Sequence, residues 1–154
     1  MNSTDVHNIR IAGLGGMGIL KSSQVLAEVL FRCGFDVKKA EVHGMSQRGG
    51  SVASDIRFGT QVLSPMIPEG ETDYLLALTQ DELETHRRSL RPTGVVVGPT
   101  AFDKTPLPNK KSLNVAMLGA LSSHLAIPKE TWIDTIRSVF PEKLHVVILS
   151  LIHI

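Results

Sequence analysis

Short apolar runs alternate with amphipathic segments along most of the chain, and this spacing predicts alternating strands and helices. Short apolar runs predict buried strands at residues 9–14 and 94–98 and an apolar strand at residues 74–78, and residues 35–42 are predicted to form a second strand. Apolar residues three or four positions apart predict helices at residues 17–32, 81–90, 113–125 and 128–140, with Thr79 as the N-cap of the second. Such alternation is typical of a layered α/β domain of the Rossmann-like type.

Residues 52–58 show a different pattern, because apolar and polar side chains alternate along them. This alternation predicts a strand that is exposed on one face. Gly59 and Thr60 are typical of a tight turn, so residues 61–63 are predicted to pair back antiparallel. We therefore expect a mixed, mainly parallel sheet.

The chain after Pro141 is apolar and shows no cap, turn or closing helix. A core strand, a strand covered by a partner, and a truncated or altered end are the three interpretations. The run is shorter than the roughly 20 residues that a membrane span needs. We expect residues 1–154 to form a single domain, and a C-terminus that is truncated or altered after about residue 141 is one of these three interpretations.

The composition is that of a soluble globular protein, with 42% hydrophobic and 20% charged residues among 154. The net charge of +1 gives no reason to expect nucleic acid or a membrane as a partner. The polar first seven residues lack the features of a signal peptide. The single cysteine, Cys33, suits a reducing compartment, so we expect a cytoplasmic protein.

Metal binding by this chain is not expected. Cys33 alone makes no internal disulfide and cannot supply the four ligands of an iron–sulfur cluster, so it is interpreted as a packing residue near the end of the first helix. Four histidines show no spacing that suits a metal: His86, His124, His145 and His153.

A first glycine loop follows the first predicted strand. Gly13, Gly15 and Gly18 have the spacing G-x-G-x-x-G, which lets the backbone approach an anion at the start of a helix. With Gly16, they are candidate cofactor-binding residues. Asp36 and Glu41 lie near the position where a dinucleotide-binding fold places an acidic residue. A tight strand-to-helix turn without any ligand is the alternative.

A second loop, residues 41–51, is polar and lies between two apolar segments, which indicates an ordered loop that meets a ligand or another chain. Arg48 and His43 are the candidate catalytic residues, because a guanidinium binds carboxylates or phosphates and an imidazole titrates near neutral pH. The alternatives are an ion pair of Arg48 with Glu41 or Asp55, and a histidine that only caps or packs.

Further candidate cofactor-binding residues are Ser46, Gln47, Gly49, Gly50 and Asn114. Ser46, Gln47 and Ser51 either bind a ligand or only hold the loop. Asn114, at the start of a later helix, is suited to hydrogen-bonding the backbone of a loop.

The two loops together resemble the gamma-type domain of 2-oxoacid:ferredoxin oxidoreductases, with the closest likeness to the beta subunit of indolepyruvate ferredoxin oxidoreductases. The string from His43 to Gly50 carries most of this likeness, and residues 55–59 and 114–120 add to it. The likeness extends over roughly residues 8–141. The family usually continues with a polar segment and a closing helix, from which this chain departs.

The resemblance implies a subunit of a thiamine-diphosphate-dependent enzyme. Such enzymes oxidatively decarboxylate a 2-oxoacid, here an arylpyruvate such as indolepyruvate, to an acyl-CoA and pass two electrons to ferredoxin. A larger alpha subunit is implied to carry thiamine diphosphate and [4Fe–4S] clusters, with coenzyme A as co-substrate. This chain would bind no cofactor by itself and would be inactive alone.

Two competing interpretations stay open. One is a stand-alone nucleotide-binding Rossmann-like module, which rests on the first glycine loop. The other is a purely architectural subunit whose loops contact only other chains. The main hypothesis requires the two glycine loops to stand side by side at one edge of the sheet.

Overall fold

The computed structural model describes residues 5–44, 49–104, 106–108 and 112–152. The strands in these ranges are β1 (His7–Leu14), β2 (Asp36–His43), β3 (Ser51–Gly59), β4 (Thr72–Ala77) and β5 (Leu90–Val97). The α-helices are α1 (Ile19–Arg32), α2 (Gln80–His86), α3 (Leu113–Ser122), α4 (Lys129–Val139) and α5 (Glu142–Ile152). Short 3₁₀ turns occupy Arg87–Ser89 and Pro99–Phe102.

The strands form one sheet in the order β2-β3-β1-β4-β5. β4 pairs in parallel with β1 and β5, whereas β3 pairs antiparallel with β1 and β2. Helices cover both faces, because Leu76 of β4 packs in the large core with α1, α3 and α4, while Leu75 packs with Leu83 of α2. The expected layered α/β fold with a mixed sheet is confirmed.

The antiparallel hairpin lies elsewhere than predicted. Residues 61–63 form no strand, so the predicted pairing after Gly59 is wrong. β3 is already paired with β1 on one edge and with β2 on the other, which leaves no free edge. The Val62 amide instead donates a 2.7 Å hydrogen bond to Asp36 Oδ2. The hairpin is made by β2 and β3, and the second glycine loop joins them.

The prediction that β3 is exposed on one face is also wrong. Ser54 and Asp55 are buried together with Ile56. Both Asp55 oxygens accept hydrogen bonds from Arg10 of β1, at 2.6 Å from Nε and 2.8 Å from Nη2. The hydrogen bond to Asp55 raises the pKa of Arg10. A carboxylate can be buried here because its charge is paired and hydrogen-bonded, which the alternation of residue types does not reveal.

Local signals set the helix ends. α1 begins after Gly18, which has a left-handed φ of 80°. The predicted cap of α2 is confirmed, since the Thr79 hydroxyl accepts a 3.2 Å hydrogen bond from the Glu82 amide. Cys33 is the C-cap of α1 and is half-buried, and burial raises the pKa of its thiol. Its position agrees with a packing role.

The segment after Pro141 forms a helix, so the interpretations of it as a strand are wrong. α5 buries Ile148, Leu151 and Ile152 in the core. It approaches α3 at Gly119, where a Cβ atom would lie 2.6 Å from the Leu151 carbonyl oxygen. The absence of a side chain at Gly119 thus allows close packing of α3 and α5. No helix in the described ranges is long and apolar enough to cross a membrane.

Candidate functional site

A cavity of about 670 Å³ lies where β1 ends and β3 begins. The register of the two strands pairs Leu14 with Ser51, so the segments that follow one strand and precede the other meet at this edge of the sheet. The described residues that line the cavity are Leu14, Gly15, Gly16, Gly18, Ile19, Leu20, Lys21, His43, Gly44, Gly49, Gly50, Ser51 and Val52. Backbone from both glycine loops forms much of the wall.

The two glycine loops are hydrogen-bonded to each other. The Gly15 amide donates to the Gly50 carbonyl oxygen at 2.9 Å. A Cβ atom on Gly15 would lie 3.5 Å from the Gly49 nitrogen, so the two loops are within van der Waals distance of each other here. The Gly44 amide donates to the Ser51 carbonyl oxygen at 2.7 Å and closes the base of the second loop. The expectation that the loops stand side by side is confirmed.

The start of α1 faces the cavity with features that suit an anion. Its first turn contains no acidic residue, and Gly18 offers no side chain to cap the helix amides. Lys21 adds a positive charge to the wall. Free amides at a helix start attract negative charge, and the lysine reinforces this attraction. The chemistry of this edge fits a carboxylate or a phosphate.

Asn114 holds the first loop from a distant part of the chain. Its Nδ2 donates to the Gly18 carbonyl oxygen at 3.3 Å, and its Oδ1 accepts from the Val115 amide at 2.8 Å. The hydrogen bond to loop backbone that its position indicated is therefore present. Gly13, by contrast, lies within β1 and packs close to the Ile19 side chain, so its small size serves strand-to-helix packing.

His43 ends β2 at the cavity wall, with its side chain 57% exposed and Nε2 4.0 Å from Glu41 Oε2. Ser46, Gln47 and Arg48 lie outside the described residues. The two carboxylates considered as structural partners of Arg48 are engaged by other cations. Glu41 pairs with Lys39 at 2.9 Å, and Asp55 pairs with Arg10.

A buried polar cluster behind the second loop was missed by the sequence analysis. The Ser51 hydroxyl donates a 2.8 Å hydrogen bond to Glu82 Oε2, and His86 Nε2 lies 3.3 Å from the same oxygen. Burial lowers the pKa of His86, and the charge of Arg10 acts in the same direction. Thr79 and Glu82 have the spacing of a capping box. That motif predicts that the Glu82 carboxylate lies at the start of α2, so it does not predict the contact with Ser51.

The sheet order weighs against dinucleotide binding at the first loop. Asp36 lies at the start of β2, opposite Gly59, and so at the far end of the sheet from the cavity. β3 separates β2 from β1, so the end of β2 is two strands away from the first loop. In dinucleotide-binding folds these strands are neighbours, and the acidic residue after the second reaches the ribose. The described residues also contain no group of three or more side chains suited to a metal.

The family model for pyruvate ferredoxin/flavodoxin oxidoreductase matches residues 8–112. The chain belongs to this family. Indolepyruvate oxidoreductase subunit IorB of Thermococcus kodakarensis is 42% identical over 90 residues, which are 58% of this chain and 45% of that relative. IorB of Archaeoglobus fulgidus is 41% identical over 90 residues, 58% of this chain and 44% of the relative. The matches thus span just under half the length of these curated relatives.

Solved structures confirm the fold. The gamma subunit of a keto/oxoacid ferredoxin oxidoreductase from Geobacter sulfurreducens PCA has a TM-score of 0.77 at 22% identity, over 95% of this chain and 94% of that one. A 2-oxoglutarate:ferredoxin oxidoreductase from Magnetococcus marinus, with 2-oxoglutarate, coenzyme A and succinyl-CoA bound, has a TM-score of 0.82 at 20% identity, over 97% of this chain and 30% of that one. The expected resemblance to the gamma-type domain is confirmed.

Proposed function

We propose that this chain is the small subunit of a cytoplasmic 2-oxoacid:ferredoxin oxidoreductase that acts on an arylpyruvate such as indolepyruvate. The complex converts the oxoacid and coenzyme A into acyl-CoA and carbon dioxide, and two electrons leave to ferredoxin. The hydrogen bond between Gly15 and Gly50 at the cavity is the observation that carries this proposal. The sequence identity to IorB, 41–42% over 90 residues in two relatives, supports the proposal that the substrate is an arylpyruvate.

The chain's own residues supply one wall of the active-site cleft. The amides at the start of α1, Gly49 and Gly50 bind the carboxylate of the oxoacid or the phosphates of a cofactor through backbone N–H groups. In this proposal the Arg48 guanidinium binds such an anion through two N–H groups, and His43 transfers a proton at the cleft. Ser46, Gln47 and Asn114 orient the loops and the ligand.

We assign the cofactors to a larger partner subunit. Cys33 is the only cysteine of the chain, whereas a [4Fe–4S] cluster takes four cysteine ligands. Thiamine diphosphate supplies the decarboxylation chemistry, and the clusters supply the path for the electrons. The anion-binding character of the α1 start fits the diphosphate or coenzyme A phosphates that the partner presents to this wall.

The outer face of α1 supports a partner that covers the cavity. Leu20, at the cavity wall, is 40% exposed, and Phe31 on the same helix face is 67% exposed. Between Phe31 and Val37 of β2 runs a groove of about 290 Å³. Val42 of β2 is 50% exposed near the cavity. An exposed apolar surface beside a cavity is typical of a protein–protein contact.

Co-expression with a cluster-bearing, thiamine-diphosphate-dependent subunit tests the proposal. The purified complex should reduce a viologen dye with an arylpyruvate and coenzyme A, and the isolated chain should not. Arg48→Ala should lower the turnover of the assembled enzyme about tenfold or more, since one contact to a charged group is lost. Arg88→Ala is the matched control, because Arg88 is 87% exposed and pairs only with exposed Glu69 among the contacts described.

The other outcomes separate the alternatives. A fully active isolated chain would contradict the division of labour. Weaker assembly with unchanged turnover in Arg48→Ala would favour a purely architectural subunit. Saturable micromolar binding of NAD by the isolated chain, lost in Gly15→Val, would favour the nucleotide-binding module.

A further inference from the structure

Glu82 of α2 is a buried carboxylate that none of the proposed chemistry uses. Its side chain is 6% exposed. Burial of an ionised carboxylate is costly unless hydrogen bonds and charges compensate it. In the described part of the chain, Ser51 Oγ donates to it at 2.8 Å, and His86 Nε2 approaches it at 3.3 Å without forming a well-aligned hydrogen bond. Ser51 is therefore its best-aligned side-chain donor there.

Ser51 is the residue where the second glycine loop enters β3. Its carbonyl oxygen accepts the hydrogen bond from the Gly44 amide, which closes the loop, and its neighbour Gly50 accepts the hydrogen bond from Gly15. Three hydrogen bonds thus meet within two consecutive residues. Only the one to Glu82 reaches α2, a helix that packs on the opposite face of the sheet from α1.

We propose that Glu82 is a positioning residue that, through Ser51, fixes the second glycine loop against the first across the cavity. The carboxylate anchors the Ser51 side chain, and the Ser51 backbone then sets where Gly50 meets Gly15. The effect on turnover rests on the proposed function, whereas the effect on the loops does not.

The surrounding groups leave Glu82 available for this role. Arg10 of β1 and Asp55 of β3 lie near the cluster but satisfy each other through two hydrogen bonds. The Thr79 hydroxyl already caps α2 by accepting from the Glu82 amide. The Glu82 side chain extends to Ser51, which is 31 residues earlier in the chain, and so links α2 to β3.

Hydrogen exchange of the full chain tests the proposal without any assay of activity. In Glu82→Ala and Ser51→Ala, the amides of Gly15 and Gly44 should exchange about tenfold faster or more, because a hydrogen bond to a charged group is lost. Glu82→Gln should restore slow exchange, since an amide oxygen also accepts from Ser51. Glu84→Ala on the same helix is the matched control, because its side chain is 58% exposed.

Ser51→Ala removes the contact with little change of volume, so it keeps the test valid if Glu82→Ala fails to fold. Unchanged exchange at both glycine amides in folded Ser51→Ala would overturn the proposal. Equal acceleration in Glu82→Gln and Glu82→Ala would also overturn it, because the hydrogen bond would then not be the cause.

Kinetics of the assembled enzyme separate this inference from the proposed function. Glu82→Ala should lower kcat more than it raises KM, and Glu82→Gln should recover most of the loss. Faster exchange with unchanged kinetics would keep Glu82 as the anchor of the loop and would contradict the catalytic use of this cavity. Unchanged exchange would contradict the anchoring role of Glu82, whatever the activity of the variant.

Discussion

The two ends of the β1–β3 pair are built from different chemical groups. At one end His7 lies opposite Phe58, and at the other Leu14 lies opposite Ser51. At the first end, side chains donate hydrogen bonds to backbone carbonyl groups. At the second end, the backbone of one glycine loop is hydrogen-bonded to the backbone of the other. This difference separates the end of the sheet that is closed by side chains from the end that borders the cavity.

The His7–Phe58 end is closed by an interlocking set of side-chain hydrogen bonds. Asn8, which is 1% exposed, donates from Nδ2 to the Glu71 carbonyl oxygen and accepts from Arg57 Nε, both at 2.8 Å. Arg57 also donates to the Ser64 carbonyl oxygen at 2.9 Å. These bonds fasten the loop after β3 to the sheet, and loss of one partner would leave a buried polar group unsatisfied.

The Leu14–Ser51 end keeps its backbone accessible instead. Gly16 and Gly18 have positive φ values of 88° and 80°, which an L-residue adopts only with strain. The backbone turn at the cavity contains these conformations, so the open end depends on glycine where the closed end depends on asparagine and arginine. Substitutions at the two ends should therefore have separable effects.

Gly18→Val should have the largest effect on stability. A left-handed conformation costs an L-residue about 1–2 kcal/mol, and a Cβ at this position would also overlap the Asn114 amide. We expect the free energy of unfolding to fall by more than about 2 kcal/mol in chemical denaturation. Gly16→Val is the control, because it has the same sign of φ but nothing within 4 Å of a Cβ. Equal losses in the two variants would show that the Asn114 contact is unimportant.

Asn8→Ala should destabilise the closed end by about 2 kcal/mol, because the Glu71 carbonyl and the Arg57 guanidinium each lose a partner. At a temperature where the variant is folded, the kinetics of the assembled enzyme should be unchanged. Thr60→Ala, at an exposed residue of the same end, should leave the denaturation midpoint within error. A fall in turnover of folded Asn8→Ala would contradict the separation of the two ends.

Acidification should act on the buried cluster of Ser51, Glu82 and His86, which lies behind the open end. Because burial lowers the pKa of His86, the folded chain binds a proton there less readily than the unfolded chain. Stability should therefore decrease as the pH falls below the ordinary histidine value of about 6.5, since the unfolded state then takes up more protons. Denaturation midpoints measured from pH 7.5 to 5.5 should show a shallower slope in His86→Gln. An unchanged slope would mean that other groups govern this pH range.

Lys21→Gln should have the smallest effect on stability. Its ammonium lies 5.3 Å from the centre of the Phe140 ring, a contact worth about 0.5–1 kcal/mol at most at an exposed site. In the assembled enzyme, the KM for coenzyme A or the oxoacid should rise, because a cation is removed from the cavity wall. A fall in the free energy of unfolding greater than about 2 kcal/mol would show that Lys21 mainly stabilises the fold.

The sequence predicted those parts of the fold that depend on local signals. The positions of α1, α2 and β1 followed from hydrophobic spacing and from Thr79, whose capping role depends only on residues three positions away. The meeting of the two glycine loops was also predicted, from the resemblance and from the placement of each loop beside a predicted strand. Asn114 was assigned to loop backbone because it begins a helix.

The parts that failed depend on partners distant in the chain. Asp55 was assigned to an exposed face, since Arg10, 45 residues earlier, is not visible in a local pattern. Residues 61–63 were predicted to pair with β3, because the pattern does not show that β2 occupies that edge. α5 was missed because the local pattern does not show that Gly119 of α3 leaves room for another helix to pack there. Glu82 was missed for the same reason, as its partner lies 31 residues away.

The insertion of β3 between β1 and β2 has a consequence for how such a site can diversify. The segment from His43 to Ser51 links the two strands of a hairpin, which pair with each other, and β3 is also paired with β1. Changes in the length or the residue types of that link cost little closure entropy and leave the strand order intact. Under the proposed function, a change of ligand could therefore arise in this one connection without any change in the strand order of the sheet.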